Sequence, residues 1–252
     1  GYMRGIWPPF KKNYLQAFRV YKNMLSAHNR AYDMVHAYYP GAMVGFAQNI
    51  PFVEPYDRKS VMDNLTVRVS DWINIGYPLG RTKNDFVGLN HYFHNVVKSG
   101  LLTIKNIVPR DEDVLTDTGW QIYPKAMSGA LLNLKKFNKP IYITENGIAD
   151  GKDVKRADYI KNYLSEVHKA IKSGVDVRGY FYWSLTDNFE WPVTQEESGF
   201  DMRFGLVEVK FASQQRKIRK SARVYARICK NNELILGLLR PVRLRRTDPR
   251  ND

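Results

Sequence analysis

The stretch Tyr142–Asp150, "YITENGIAD", places one carboxylate at the end of a strand-like run. Residues 141–144 are β-branched or aromatic, which is typical of a buried strand, and the Asn-Gly pair after Glu145 is a turn signal. A carboxylate at the end of a buried strand costs desolvation free energy, so it is expected to have a bonding partner or a functional role. Glu145 is therefore the first candidate functional residue.

Strand and helix patterns alternate on both sides of this stretch. They predict helices over 13–39, 57–74, 124–137, 153–173 and 218–231, a loop-rich stretch over 98–120, and strands over 42–49, 85–92, 141–145 and 177–185. The strands are almost continuously apolar, as in a parallel sheet covered by helices. Polar residues collect at the carboxyl ends of the strands, and no Gly-rich phosphate turn follows any of them. The pattern predicts an α/β fold of the (β/α)8 TIM-barrel type.

The number of strands fits only part of such a barrel. A closed barrel needs eight strands, and the chain supplies four before a hairpin-like segment over 203–211. Four strands leave two open parallel edges, which soluble proteins rarely leave uncovered. We therefore expect half a barrel whose edges are closed by a separate half or by oligomerisation.

Composition restricts the remaining choices. No apolar run is long enough for a membrane span, and the single cysteine, Cys229, excludes a disulfide framework and favours a cytoplasmic location. The pattern around Cys229 predicts a buried or half-buried thiol. The net charge of +14, from 39 Lys+Arg against 25 Asp+Glu, raises the alternative of a nucleic-acid-binding protein. Without a zinc-finger, RNA-binding or phosphate-loop signature, a solvated basic face is the preferred interpretation.

The residues near the third and fourth strand ends suit sugar chemistry. Asn90 and Glu190 suit bidentate binding of hydroxyls, and Tyr92 suits donation of a hydrogen bond that keeps a carboxylate ionised. Retaining glycosidases use two carboxyl groups about 5 Å apart, one as nucleophile and one as acid/base. Three flat aromatic side chains suit stacking on pyranose rings: Trp120, Trp183 and Trp191.

Several motifs in the same order resemble glycoside hydrolase family 1, the TIM-barrel β-glucosidases, β-galactosidases and β-mannosidases, especially their archaeal-type branch. They are "DFVGLNHYFHNVV" (85–97), "TGWQIYP" (118–124), "YITENGIAD" (142–150), "VRGYFYWSLTDNFEW" (177–191) and "GFDMRFGLVEV" (199–209). The resemblance covers nearly the whole chain. It implies that residues 1–239 are the C-terminal half of a barrel, about four βα units plus a terminal hairpin and helix, followed by a basic tail over 240–252.

The resemblance also implies roles for individual residues. Glu145 matches the nucleophile that forms the glycosyl-enzyme, Tyr92 matches the tyrosine bonded to it, and Asn90 matches the neighbouring asparagine. The remaining matches are the platform under the sugar (Trp183), the pair that binds its outer hydroxyls (Glu190 and Trp191), a nearby aromatic wall (Phe204) and a leaving-group-side tryptophan (Trp120). Neither a cofactor nor a metal is implied, and His28, His94 and His168 lack metal-ligand spacing. His91, where the family has tyrosine, is expected to be a packed residue.

One part of the family pattern is missing. The "NEP" motif that carries the acid/base does not occur, and "GYMRGIWPP" (1–9) resembles the segment that follows it. Glu54, Glu196 and Glu197 are poor substitutes because none has a strand-end position. The leading expectation is a retaining β-glycosidase half that lacks its acid/base and needs a second half. The alternative is a catalytically incomplete remnant that binds sugar or a partner, and nucleic-acid binding is less favoured.

Overall fold

A computed structural model describes residues 1–3, 5–99, 104–107, 115–191 and 199–234 of the 252-residue chain. The helices are α1 (Tyr14–Tyr38), α2 (Val61–Asp71), α3 (Tyr77–Leu79), α4 (Lys125–Lys135), α5 (Arg156–Lys172) and α6 (Lys220–Asn231), with a π-helical turn, Trp72–Gly76, before α3. The strands are β1 (Ala47–Asn49), β2 (Phe52–Pro55), β3 (Val87–Asn90), β4 (His94–Ser99), β5 (Ile104–Ile107), β6 (Ile141–Asn146), β7 (Val177–Tyr182), β8 (Val207–Lys210) and β9 (Gln215–Ile218).

The central sheet has four parallel strands in the order β1-β3-β6-β7. The strands follow one another in space as they do along the chain, with helices in the connections. This stepwise order is that of a (β/α) barrel, not of a doubly wound sheet in which the order reverses. The predicted α/β half-barrel architecture is thus confirmed.

The main core lies between this sheet and its covering helices. Alternate residues of β3 and β6, such as Leu89 and Ile143, are completely buried and belong to one cluster with Leu131 of α4 and Tyr163 of α5. Because side chains alternate across a strand, the residues between them face the opposite, concave side of the sheet. Thr144 and Glu145 of β6 are half-buried rather than buried, at the carboxyl end of the strand.

The first predicted helix is confirmed with its start and end. Asn13 is its N-cap and accepts a hydrogen bond from the Gln16 amide, 2.9 Å long. Its C-terminal part is bound to the sheet by Asp85, which accepts hydrogen bonds from Tyr32 (2.6 Å) and contacts His36 (2.8 Å). The helix is thus fixed against the chain just before β3.

A smaller, three-stranded sheet has no counterpart among the predicted elements. β2 pairs in parallel with β4, and β4 pairs antiparallel with β5, so that 98–120 is not simply loop. The first central strand is also shorter than predicted, because the chain pairs only from Ala47 and then continues into β2. The terminal hairpin is β8–β9, displaced toward the C-terminus from the predicted 203–211. Cys229 is exposed, so the prediction of a buried or half-buried thiol was wrong.

The two outer strands of the central sheet, β1 and β7, each pair on one side only within the part of the chain that the structure describes. Tyr180 and Tyr182 of β7 pack toward Tyr225 of α6, so Phe181 between them faces the concave side. Phe181 is 58% exposed and Leu185, shortly after β7, is 71% exposed. Exposed apolar side chains beside an open strand edge are typical of a surface that another element covers. A search of the described segments finds no helix long and apolar enough to cross a membrane.

Candidate active site

Glu145 lies at the carboxyl end of β6, directly beside the end of β3. In the parallel register Asn90 is opposite Glu145, after a local shift that starts at Leu89. Two residues beyond Asn90, the Tyr92 hydroxyl donates a 2.9 Å hydrogen bond to Oε2 of Glu145. Burial, and then the adjacent Glu145 carboxylate, raise the pKa of Tyr92 well above its usual range. Tyr92 therefore stays protonated and acts as a permanent donor to this carboxylate.

The backbone on both sides of Glu145 is held firmly. The His91 amide donates to the Glu145 carbonyl at 2.9 Å. The completely buried Asn146 side chain donates to the His91 carbonyl (2.6 Å) and to Tyr159 (2.9 Å), and accepts from Tyr180 (2.9 Å). A satisfied buried amide fixes the strand end at low cost. The Glu145 carboxylate thus projects from a rigid support.

Gly147 lets the end of β6 approach the end of β7 closely. A Cβ at this position would lie 1.8 Å from the Trp183 carbonyl oxygen, so no other residue fits without a backbone shift. The Trp183 amide donates to the Asn146 carbonyl at 3.0 Å, and the peptide bond between Trp183 and Ser184 is cis. Asn146 is the last residue of β6 rather than part of a turn, and the close approach at Gly147 brings Trp183 beside the end of this strand.

A second carboxylate, Glu190, is bound to Trp183. The indole Nε1 of Trp183 donates to Oε1 of Glu190 at 2.9 Å, and Glu190 is almost fully buried. Burial raises the pKa of Glu190, the Trp183 bond opposes this, and the neighbouring Glu145 and Asp187 charges raise it further. The Glu145 carboxylate is thus close enough to affect the ionisation of Glu190.

The segment that carries Glu190 is anchored by a buried ion pair. Both carboxylate oxygens of Asp187 accept hydrogen bonds from the Arg219 guanidinium, each 2.9 Å long. Asp187 also accepts from the amides of Gly205 (2.9 Å) and Val209 (3.2 Å). The pair therefore joins the chain after β7 to β8 and to the start of α6.

Aromatic rings form a wall next to the Tyr92–Glu145 pair. The Trp120 ring centroid is 5.7 Å from that of Tyr92, 4.6 Å from Phe93 and 5.9 Å from Phe204. Phe204 is buried, while Trp120 and Tyr92 are half-buried. The structure thus brings Trp120 and Phe204, which lie far apart in sequence, to the same side of Glu145.

Two other predicted site residues have different surroundings. Asn90 accepts a 2.6 Å hydrogen bond from Thr144 through Oδ1, so its side chain is oriented by the strand next to it. Trp191 is 72% exposed, and its ring lies 5.9 Å from Trp7 in an edge-to-face contact. Unlike its neighbour Glu190, Trp191 is thus at the margin of the site rather than inside it.

The packed position expected for His91 is confirmed, whereas the surroundings of His94 were not predicted from the sequence. His91 is fully buried, with Nδ1 bonded to the Ile50 carbonyl at 2.9 Å, and burial lowers its pKa to about 4. His94 lies between Glu54 (3.0 Å) and Gln121 (2.7 Å). The parallel pairing of β2 with β4, which brings Glu54 near His94, has no signal in the sequence.

The same contacts bear on the weak candidates for the acid/base. The hydrogen bond with His94 lowers the pKa of Glu54, more than burial raises it, which makes Glu54 a poor proton donor. Glu196 and Glu197 lie outside the described residues. Over the described ranges, no group of three or more His, Cys, Asp or Glu side chains is arranged to hold a metal ion.

A parallel half-barrel with two neighbouring carboxylates and several aromatic rings at the carboxyl ends of its strands is typical of barrel proteins that act on carbohydrates. Within that class the chain belongs to Glycosyl hydrolase family 1, whose sequence profile matches residues 1–77 and 77–234. It is similar to a β-galactosidase of Sulfolobus acidocaldarius, 34% identical over 88% of this chain and 50% of that protein. It is also similar to β-glucosidase A of Thermotoga maritima, 32% identical over 93% of this chain and 61% of that protein.

Solved structures give the same result. A β-glycosidase from Pyrococcus horikoshii superposes with a TM-score of 0.83 at 35% identity, over 93% of this chain and 58% of that one. The β-glucosidase from Thermotoga maritima in complex with glucoimidazole superposes with a TM-score of 0.81 at 28% identity, over 93% and 61%. The chain thus spans about half to three fifths of the length of these four relatives.

Proposed function

We propose that this chain is the nucleophile-bearing half of a retaining β-glycosidase. The observation that carries the proposal is the Tyr92–Glu145 hydrogen bond at the meeting point of two parallel strand ends. A carboxylate held by a permanent donor on a rigid support suits attack on an anomeric carbon. Glu190 and Trp183, joined to each other beside Glu145, then bind the hydroxyls and one face of the sugar.

In the proposed reaction, an Oε atom of Glu145 forms a bond to the anomeric carbon while the bond from that carbon to the aglycone oxygen breaks. The electron pair leaves with the aglycone oxygen, which takes a proton from a general acid. Water, losing a proton to the same group acting as a base, then attacks the glycosyl ester and releases Glu145. Trp120 and Phe204 line the side on which the aglycone leaves, and Asn90 and Trp191 complete the sugar contacts.

The general acid comes from a second half-barrel in this proposal. Within the described residues, β1 and β7 each have one edge without a partner strand, and these edges, with the exposed Phe181 and Leu185 beside β7, form the surface on which that half packs. Both edges then gain parallel partners and the sheet closes. A second copy of this chain is the alternative cover for the same edges.

Intact-mass analysis after incubation with a 2,4-dinitrophenyl 2-deoxy-2-fluoro-β-glycoside tests the proposal. The dinitrophenolate leaves without protonation, so one sugar should attach to Glu145 even without a general acid. The chain is assayed alone and mixed with the amino-terminal part of the Sulfolobus acidocaldarius β-galactosidase, and peptide mapping locates the label. Glu145→Gln should abolish it, whereas Glu166→Gln, which changes a carboxylate on α5, should not.

The assignment of Glu145 would be contradicted if no adduct formed with the chain alone or with the mixture, or if the adduct formed on another carboxylate. A catalytically incomplete sugar-binding remnant would instead bind the glycoside without forming an adduct. A basic nucleic-acid-binding face is the less favoured candidate, and α6 presents four exposed basic side chains that would belong to it: Lys220, Arg223, Arg227 and Lys230. Retention on heparin that disappears at moderate salt is the result expected for such a face.

A further inference from the structure

We propose that Glu54, His94 and Gln121 form a positioning triad that holds Trp120 in place and thereby sets recognition of the aglycone. The inference rests on the proposed function, since it concerns the leaving-group side of the same site. None of the three residues lies at the reacting atoms in our assignment. They act through Trp120 and are positioning residues, not catalytic ones.

His94 is the centre of the triad and has little freedom to move. Its side chain is only 5% exposed. The ring stacks on Tyr123 with centroids 4.0 Å apart, and on Phe52, its partner across the β2–β4 register, at 6.1 Å. Nε2 faces Oε2 of Glu54 at 3.0 Å and Nδ1 faces Oε1 of Gln121 at 2.7 Å. Because both ring nitrogens have a polar partner, the plane of the His94 ring is fixed.

Gln121 transmits this constraint to Trp120, its neighbour in the chain. On the other side of Trp120, Thr116 forms a tight turn, donating through its amide to the Trp120 carbonyl (2.8 Å) and accepting the Trp120 amide at Oγ1 (3.0 Å). Trp120 is thus fixed by a local turn before it and by the triad after it. Phe93, adjacent to His94, touches the Trp120 ring at 4.6 Å and adds a second route of contact.

Packing alone does not require this arrangement. Partial burial of the Glu54 carboxylate costs desolvation, and an apolar residue in place of His94, between Phe52 and Tyr123, would fill the same space without a polar partner. Unlike an apolar side chain, His94 fixes the position of the Gln121 side chain, because hydrogen bonds are directional and each ring nitrogen has one partner. Arg58 contacts the second oxygen of Glu54 at 3.3 Å but is 85% exposed, so it contributes little.

Two inactivators separate aglycone recognition from the chemistry at Glu145. A dinitrophenyl 2-deoxy-2-fluoro-β-glycoside presents an aromatic aglycone to Trp120, whereas the corresponding 2-deoxy-2-fluoroglycosyl fluoride has none. The measured quantity is the ratio of their kinact/KI values for labelling of Glu145 in the full chain. His94→Leu and Gln121→Met should each lower the ratio about tenfold through the aryl compound alone, mainly in KI.

Matched variants test whether the hydrogen bonds, rather than the bulk of the side chains, cause the effect. Gln121→Glu keeps an acceptor toward Nδ1 of His94 and should restore the wild-type ratio. His28 lies on α1, where its side chain is bonded to the Lys83 carbonyl, and His28→Leu should leave the ratio unchanged. A ratio within twofold of wild type in both His94→Leu and Gln121→Met would overturn the inference.

A readout independent of labelling separates this inference from the proposed function. If neither inactivator labels the wild-type chain, the proposed function is contradicted. In that case the position of the Trp120 indole N–H resonance still tests whether the triad positions Trp120. Its cross-peak, assigned with Trp120→Phe, should move in Glu54→Gln and His94→Leu while that of Trp183 stays in place. A Trp120 peak that does not move in either variant overturns the inference, and Glu54→Gln serves if His94→Leu does not fold.

Discussion

The Tyr92 hydroxyl donates a hydrogen bond to the Glu145 carboxylate across the ends of two adjacent parallel strands, at 2.9 Å. Neither residue could reach the other without the pairing of β3 with β6, because 53 positions separate them. The bond defines where the carboxylate lies relative to the sugar space. Its contribution can be measured directly, because Tyr92→Phe removes the hydroxyl and leaves the ring.

Tyr92→Phe should slow the labelling of Glu145 about 10- to 100-fold, the range expected for the loss of a hydrogen bond to a charged group. The measurement is kinact with the fluorinated aryl glycoside. Tyr32→Phe is the matched control, because Tyr32 also donates to a carboxylate, Asp85, but on the helix side of the sheet. Equal labelling rates in the wild type and Tyr92→Phe would remove Tyr92 from the nucleophile's support.

Glu190→Gln should weaken sugar binding more than it slows the chemical step. The change keeps an oxygen acceptor for Trp183 but removes the charge that strengthens hydrogen bonds to sugar hydroxyls. We expect KI for the inactivator to rise about tenfold or more, with a smaller change in kinact. Glu166→Gln, a buried carboxylate on α5 that accepts from Ser128, should leave both values unchanged. A fall in kinact at constant KI would instead place Glu190 in the chemical step.

Asp187→Asn should destabilise the chain by about 3–5 kcal/mol, because it leaves the buried Arg219 guanidinium without its counter-charge. Urea unfolding followed by circular dichroism measures the free energy of unfolding. The control is Asp176→Asn, which breaks an ion pair with Arg178 in which both side chains are about half exposed. That change should cost less than about 1 kcal/mol. Similar losses for both variants would show that burial of the Asp187 pair does not matter.

Stability should fall as pH decreases from about 6.5 toward 4 because of His91. Burial lowers the pKa of His91 to about 4 in the folded chain from an ordinary 6.5. Between these values the unfolded state binds more protons, so acid favours unfolding, by up to about 3 kcal/mol in total. Below pH 4 both states are protonated and this contribution stays constant.

Urea unfolding at pH 6.5 and pH 4.5 tests this dependence. His91→Phe should reduce the difference in unfolding free energy between the two pH values, whatever its effect on stability at pH 6.5. His168→Gln, a change at an exposed position on α5, should leave the difference as in the wild type. An unchanged difference in His91→Phe would show that another group causes the acid sensitivity.

The sequence by itself determined the alternation of strands and helices, the parallel sheet and the acid, Glu145, at the end of the strand within "YITENGIAD". These features depend on apolar periodicity and on turn-favouring residues that are neighbours in the chain, such as Asn146 and Gly147. The sequence motifs also picked out Tyr92, Trp183 and Glu190. Local sequence patterns were sufficient to predict a feature when all the residues that define it belong to one strand, helix or turn.

Only the tertiary structure decided which of these residues touch one another. The parallel pairing of β2 with β4, the contact of His91 with the Ile50 carbonyl and the Glu54–His94–Gln121 contacts depend on segments that lie 27 or more positions apart in the chain. Strand register and ion-pair geometry arise when distant segments pack, and no local periodicity encodes them. The nucleophile candidate could therefore be read from nine consecutive residues, whereas its support required the folded sheet.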